Sequence, residues 1–118
     1  MSSGHNWLRA ESGAPYRMND PGSAGVISAV RSAVMALESN VATTRTVAAP
    51  VFEGQRLMLH ATTNLTTTNQ VTFSAAINAA GNTAIASGNS ASIAQFIGVH
   101  NGTAMVWRLV ANQGYTLA

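Results

Sequence analysis

The chain has 118 residues, with six Lys plus Arg, four Asp plus Glu and no Cys, which fits a single domain and excludes both a disulfide framework and a thiolate metal site. Only 8% of the residues are charged, against about a quarter in an ordinary domain, and none of Leu57 to Trp107 is, so much of this surface is expected to face other protein rather than water. All six cations are arginines, scattered at Arg9, Arg17, Arg31, Arg45, Arg56 and Arg108, a pattern that argues against tracking a phosphate backbone and, lacking Lys, excludes a Walker-type phosphate loop.

Residues 1–24 mix prolines, glycines and charges with two isolated aromatics, Trp7 and Tyr16, and read as an extended N-terminal arm. A large aromatic face exposed on such an arm costs free energy unless something covers it, so both rings are candidate anchors. No cationic start followed by an apolar core marks a secretory signal, and no window of apolar residues is long enough for a membrane-spanning helix. The expectation is a protein made in the cytoplasm, with neither a membrane nor a nucleic acid as partner.

A single β domain is expected over 25–118. Val26 to Glu38 supports two readings: Val26, Val30, Ala33, Val34 and Leu37 form a helical stripe, while the β-branched residues favour extended structure over Ala33 to Leu37. Beyond Arg45 the period approaches two. Leu57 and Leu59 share one face of Gln55 to Thr62, and Val71, Phe73 and Ala75 share one face of Gln70 to Ala76. Further strands are expected at Thr83 to Ala86, at Ala91 to Val99 with Ile93, Ile97 and Val99 on one side, at Thr103 to Asn112 and at Tyr115 to Leu117.

Turn residues separate these segments, at Asn64 to Asn69, Asn78 to Asn82, Gly88-Asn89, Asn101-Gly102 and Asn112 to Gly114. Asn101-Gly102 suits a type I′ turn, which would join the strands on either side as an antiparallel hairpin. Strands this closely spaced leave no room for crossover helices. The pattern therefore predicts an all-β fold, an antiparallel β-sandwich or barrel carrying the arm.

Chemistry has little to build on. Glu11, Asp20, Glu38 and Glu53 are dispersed, so no paired acid and base stands out, and His5, His60 and His100 lack neighbours at metal-ligand spacing. His60 reads as a packed or surface strand residue, and His100 as part of the turn. Gly88 to Ser92 has Ser92 where a nucleophile elbow needs its closing glycine. Met35, Met58 and Met105 read as core filler. Neither catalytic residues, metal nor cofactors are expected.

Three segments, Thr44 to Leu57, Ala76 to Thr83 and Trp107 to Gly114, with Arg17 to Gly25 upstream, resemble small β-rich proteins encoded among the head genes of tailed bacteriophages. The resemblance covers most of the chain from Arg17 and rests on strand and turn signatures rather than catalytic ones. It implies a non-enzymatic viral structural protein similar to capsid decoration, or cement, proteins, which bind the outside of the head as trimers. The implied partners are the major capsid protein and two further copies of this chain, the implied location is the outer capsid surface of the virion, and the arm residues Trp7, Arg9, Tyr16 and Arg17 are the implied capsid contacts. An alternative is a structural or carbohydrate-binding module of a phage tail fibre or baseplate, with Trp107, Tyr115 and Asn or Gln side chains forming a shallow sugar platform.

Overall fold

The computed structural model describes residues 16–22, 24–38, 43–65 and 69–118. Ten strands follow one another with no helix among the described residues: β1 (Tyr16–Met18), β2 (Val26–Ile27), β3 (Ala33–Leu37), β4 (Thr43–Val47), β5 (Arg56–Ala61), β6 (Asn69–Phe73), β7 (Ala84–Ser87), β8 (Ile93–His100), β9 (Met105–Gln113) and β10 (Thr116–Leu117). They form two five-stranded sheets, ordered β1-β3-β5-β8-β9 and β10-β7-β6-β4-β2. The fold is all-β, and the stretch Ala33 to Leu37 is extended, resolving the ambiguity of Val26 to Glu38.

The expected antiparallel sandwich or closed barrel is corrected in two respects, since both sheets are mixed and neither closes. From β1 to β6 the chain changes sheet at every strand, so β1, β3 and β5 stack parallel in one sheet while β2, β4 and β6 stack parallel in the other. Parallel neighbours need a long crossover connection. Here the crossover is a strand of the opposite sheet, and no helix is required. Antiparallel pairing begins only after this coil, in β5 with β8, β8 with β9, β6 with β7 and β7 with β10.

The two sheets face each other across one apolar core. Met35 and Leu37 of β3, Leu57 and Leu59 of β5, and Ala94 and Phe96 of β8 meet Ile27, Val47, Val71, Phe73 and Ile85 of the other sheet in a single buried cluster. The Phe73 and Phe96 rings bridge the sheets with centroids 4.7 Å apart, a tilted contact within the favoured range for aromatic pairs. Leu57, Leu59, Val71 and Phe73 point inward as their period predicts. Ala75, expected on the same face, lies beyond the end of β6.

In β8 the side opposite Ile93, Ile97 and Val99 faces the core. Ala94 and Phe96 are buried, while Ile93, Ile97 and Val99 point outward and stay half-exposed. Two constraints set this register: Phe96 fills the space opposite Phe73, and Gly98 faces Pro50 so closely that a Cβ there would stand 2.7 Å from the Pro50 Cβ. Slipping by one residue would turn Ile97 into that space and Phe96 out of the core. Of the three methionines read as core, Met35 is buried, whereas Met58 and Met105 are half-exposed.

Within the span that the sequence reads as an arm, Tyr16–Met18 form a strand of the folded sheet. β1 pairs with β3, and the loop after it carries Asp20 to the inward-facing Arg45 of β4. Arg45 donates from Nε to Asp20 Oδ1 at 2.7 Å and from Nη2 to Oδ2 at 2.8 Å. The same carboxylate accepts the Gly22 amide at 2.9 Å and the Glu38 amide at 2.8 Å. One side chain thus ties the loop after β1, the end of β3 and the middle of β4. Removing one partner of such a pair leaves a charge in a place that cannot solvate it. Asp20→Ala is expected to lower the stability by about 3–5 kcal/mol, read from chemical denaturation; a loss below about 1 kcal/mol, the level of a surface ion pair, would show that the pair is not a structural clasp.

β8 and β9 form the expected hairpin, but its connection is corrected from a two-residue type I′ turn to the four-residue loop 101–104 between His100 and Met105. Type I′ needs positive φ at both central residues; of Asn101 and Gly102, only Gly102 has it, at +98°. Asn101 instead organises the loop, its Oδ1 accepting the amides of Thr103 and Ala104 at 2.9 Å each. His100, read as part of the turn, is instead the last residue of β8, and its Nδ1 accepts the Gly102 amide at 3.1 Å. Gly102→Val forces a β-branched residue into the left-handed region and is expected to lower the stability by about 1–3 kcal/mol. A variant that melts with the parent chain would contradict this.

Candidate docking face

Strand registers decide which side chains share a surface. On the outer side of the sheet β1-β3-β5-β8-β9, the larger of the two because its strands are longer, one row runs Arg17, Val34, Met58, Gln95, Ala111 across all five strands. A second row holds Arg56, Ile97 and Arg108, and a third holds Ala36, His60, Ile93 and Gln113. Val34, Met58, Ile93 and Ile97 are half-exposed apolar side chains in the middle of this face, and Arg17 and Arg56 are exposed beside them. Arg56 and Arg108 stand two strands apart in one row, roughly 10 Å between Cα atoms at ordinary strand spacing.

The charge contributed by the strands of this sheet has one sign. The five strands of the sheet contain Arg17, Arg56 and Arg108 and no carboxylate. Arg108 is held by its Nη1 donating to the Ala76 carbonyl at 2.6 Å. Among the described residues, no ion pair is formed by Arg17 or Arg56. A hollow of about 170 Å³ opens against Arg56, Met58 and Gln95. The outer side of the smaller sheet differs in kind, presenting Thr44, Thr46 and Thr72 and no charge from its strands.

Of the four residues read as capsid contacts, Trp7 and Arg9 lie outside the described residues. Tyr16 and Arg17 are adjacent in β1 and so point to opposite sides of the sheet. Arg17 joins the face just described. Tyr16, 49% exposed, borders a separate cleft of about 340 Å³ with Met18 and Ser28 to Arg31, where the Arg31 guanidinium stacks 4.6 Å from the ring centroid. Sequence reasoning missed Arg56, Arg108 and Met58 as members of a common surface. The available signal was the alternation of β8 itself, which puts Ile93, Ile97 and Val99 on one side of the strand.

The remaining candidates occupy structural positions. Among the described residues no group of three or more His, Cys, Asp or Glu comes together. Trp107 and Tyr115, the aromatics of the alternative sugar platform, are 4% and 6% exposed; Trp107 Nε1 donates to the Ala48 carbonyl at 2.9 Å and the Tyr115 hydroxyl to the Leu59 carbonyl at 3.1 Å. Burial pushes the Tyr115 phenol well above the ordinary tyrosine range, and the Arg45 charge pulls it only part of the way back. Comparison of the chain with known protein families, curated proteins and solved structures finds no match.

Because the folded state holds the Tyr115 proton more tightly than the unfolded chain does, its contribution is fully present below the ordinary tyrosine value of about 10 and shrinks as pH rises past it. The denaturation midpoint is expected to fall on going to alkaline pH, with Tyr115→Phe flattening that slope at the loss of one hydrogen bond, about 1 kcal/mol. An unchanged slope in Tyr115→Phe would contradict the assignment.

Proposed function

We propose that this chain is a non-enzymatic structural protein that decorates the outer surface of a bacteriophage head as a trimer and stabilises the shell. One observation carries this reading: the larger sheet leaves an apolar face half-exposed, with Val34, Met58, Ile93 and Ile97 in its middle, on a chain with 8% charged residues. Such a face is more stable when another protein covers it. A shell of repeated subunits offers the same contact many times, so a modest binding free energy per site summed over a trimer gives tight occupancy. The phage-head resemblance of Thr44 to Leu57, Ala76 to Thr83 and Trp107 to Gly114 points to the same kind of partner.

The carbohydrate-binding alternative loses the residues on which it stands, since Trp107 and Tyr115 are buried and each already donates to a backbone carbonyl. Stacking on a sugar requires an exposed ring face.

Purified protein mixed with phage heads that lack it is expected to co-sediment to a fixed saturating ratio, while light scattering of the free protein at micromolar concentration gives the mass of three chains. Absence of saturable binding to the heads would overturn the proposal. A stable monomer in free solution would overturn its trimeric part.

A further inference from the structure

We infer that the outer face of the larger sheet is the docking surface, and that its partner is a protein surface whose apolar patch is edged by carboxylates; this rests on the docking role proposed above. The face combines half-exposed Val34, Met58 and Ile97 with the exposed Arg17 of β1 and Arg56 of β5, and its strands supply no anion. Arginine suits such a partner because its planar fork meets a carboxylate with two hydrogen bonds at once and is weakly hydrated for a cation. The hollow beside Arg56, Met58 and Gln95 has room for one side chain of the partner.

Charge complementarity argues against a second copy as the occupant. Face-to-face packing of two such sheets would bring together two surfaces whose strands carry arginines and no carboxylate. Of the carboxylates among the described residues, Asp20 is already engaged by Arg45, Glu53 accepts the His100 amide at the far end of β8, and Glu38 follows β3, so none stands among the outward rows of this sheet. A nucleic acid is a poor match as well, because the centre of the face is aliphatic and presents no Phe, Tyr or Trp on which a base could stack. The trimer contacts must then use other surfaces, and the uncharged threonine side of the smaller sheet is separate from this one.

The test uses the full chain and two kinds of probe. Arg17→Glu with Arg56→Glu is expected to weaken binding to phage heads by about tenfold or more, with a smaller salt dependence, while leaving the mass in solution and the melting temperature unchanged. The neutral pair Arg17→Gln with Arg56→Gln should fall between, and Thr46→Glu with Thr72→Glu on the opposite sheet should bind heads as the parent does. Independently of any capsid, a random copolymer of glutamate and leucine should bind the parent chain and shift the resonances of Val34, Met58 and Ile97.

Loss of the trimer in the Arg17→Glu, Arg56→Glu chain would make this face a contact between copies and overturn the inference. Undiminished binding of that variant to heads would overturn it while leaving decoration intact. Binding to the copolymer without binding to heads would sink the decoration reading and keep the inference. Failure to bind the copolymer, or tighter binding to phosphatidylserine vesicles or duplex DNA than to it, would also overturn it.

Discussion

The buried pair Asp20–Arg45 is the constraint around which the rest of this fold is arranged. Arg45 is fully enclosed, and a guanidinium there is tolerable only because the carboxylate meets it through two nitrogens. That requirement fixes the course of the chain. The loop after β1 must reach across to the other sheet, and the Gly22 and Glu38 amides must converge on the same carboxylate. The clasp thus spans the first turns of a chain whose successive strands alternate between the sheets, which is the geometry of a coil rather than a meander. A hydrophobic residue at position 45 would fill the space without specifying which loop lies against it.

Coiling has a consequence for the surfaces. Each turn adds one strand to each sheet, so residues distant in sequence line up in rows: Arg17, Val34 and Met58 come from three consecutive turns. The two outer faces built in this way differ. One collects threonines with Val26 beside them, the other aliphatic side chains with arginines among them, so the two faces offer different chemistry. The separation of Tyr16 from Arg17 follows from the same pleat and divides the contact set read from the sequence into a cleft residue and a face residue.

Strand positions were legible because alternation reports local geometry. Gln55 to Thr62 and the hairpin across Asn101-Gly102 needed only a period of two and a turn signal, and β5 and the β8–β9 pair follow them closely. Parallel stacking was not legible, because the turns of the coil have no common length: Tyr16 lies beside Ala33, and Ala33 beside Leu57. Without a repeat, nothing in the spacing reveals that a strand serves as another strand's crossover. Which face of β8 is buried was not legible for a different reason. Ile93, Ile97 and Val99 outweigh Ala94 and Gly98 in hydrophobicity, and only the close approach of Pro50 to Gly98 and the contact of Phe96 with Phe73 show which side is inside. Arg45, read as one of several scattered cations, gave no sign of its partner, since Asp20 precedes it by two strands and sits in a segment with the composition of a tail.

The central claim is that the arginine-bearing sheet faces the shell. An image reconstruction of phage heads saturated with this protein, at a resolution that separates the two sheets, tests it most directly. The account predicts trimeric density on the outer surface, with β1, β3, β5, β8 and β9 turned towards the coat protein and acidic side chains opposite Arg17 and Arg56. Density in which the threonine side of the smaller sheet meets the shell, or in which the larger sheet is turned to solvent, would contradict it.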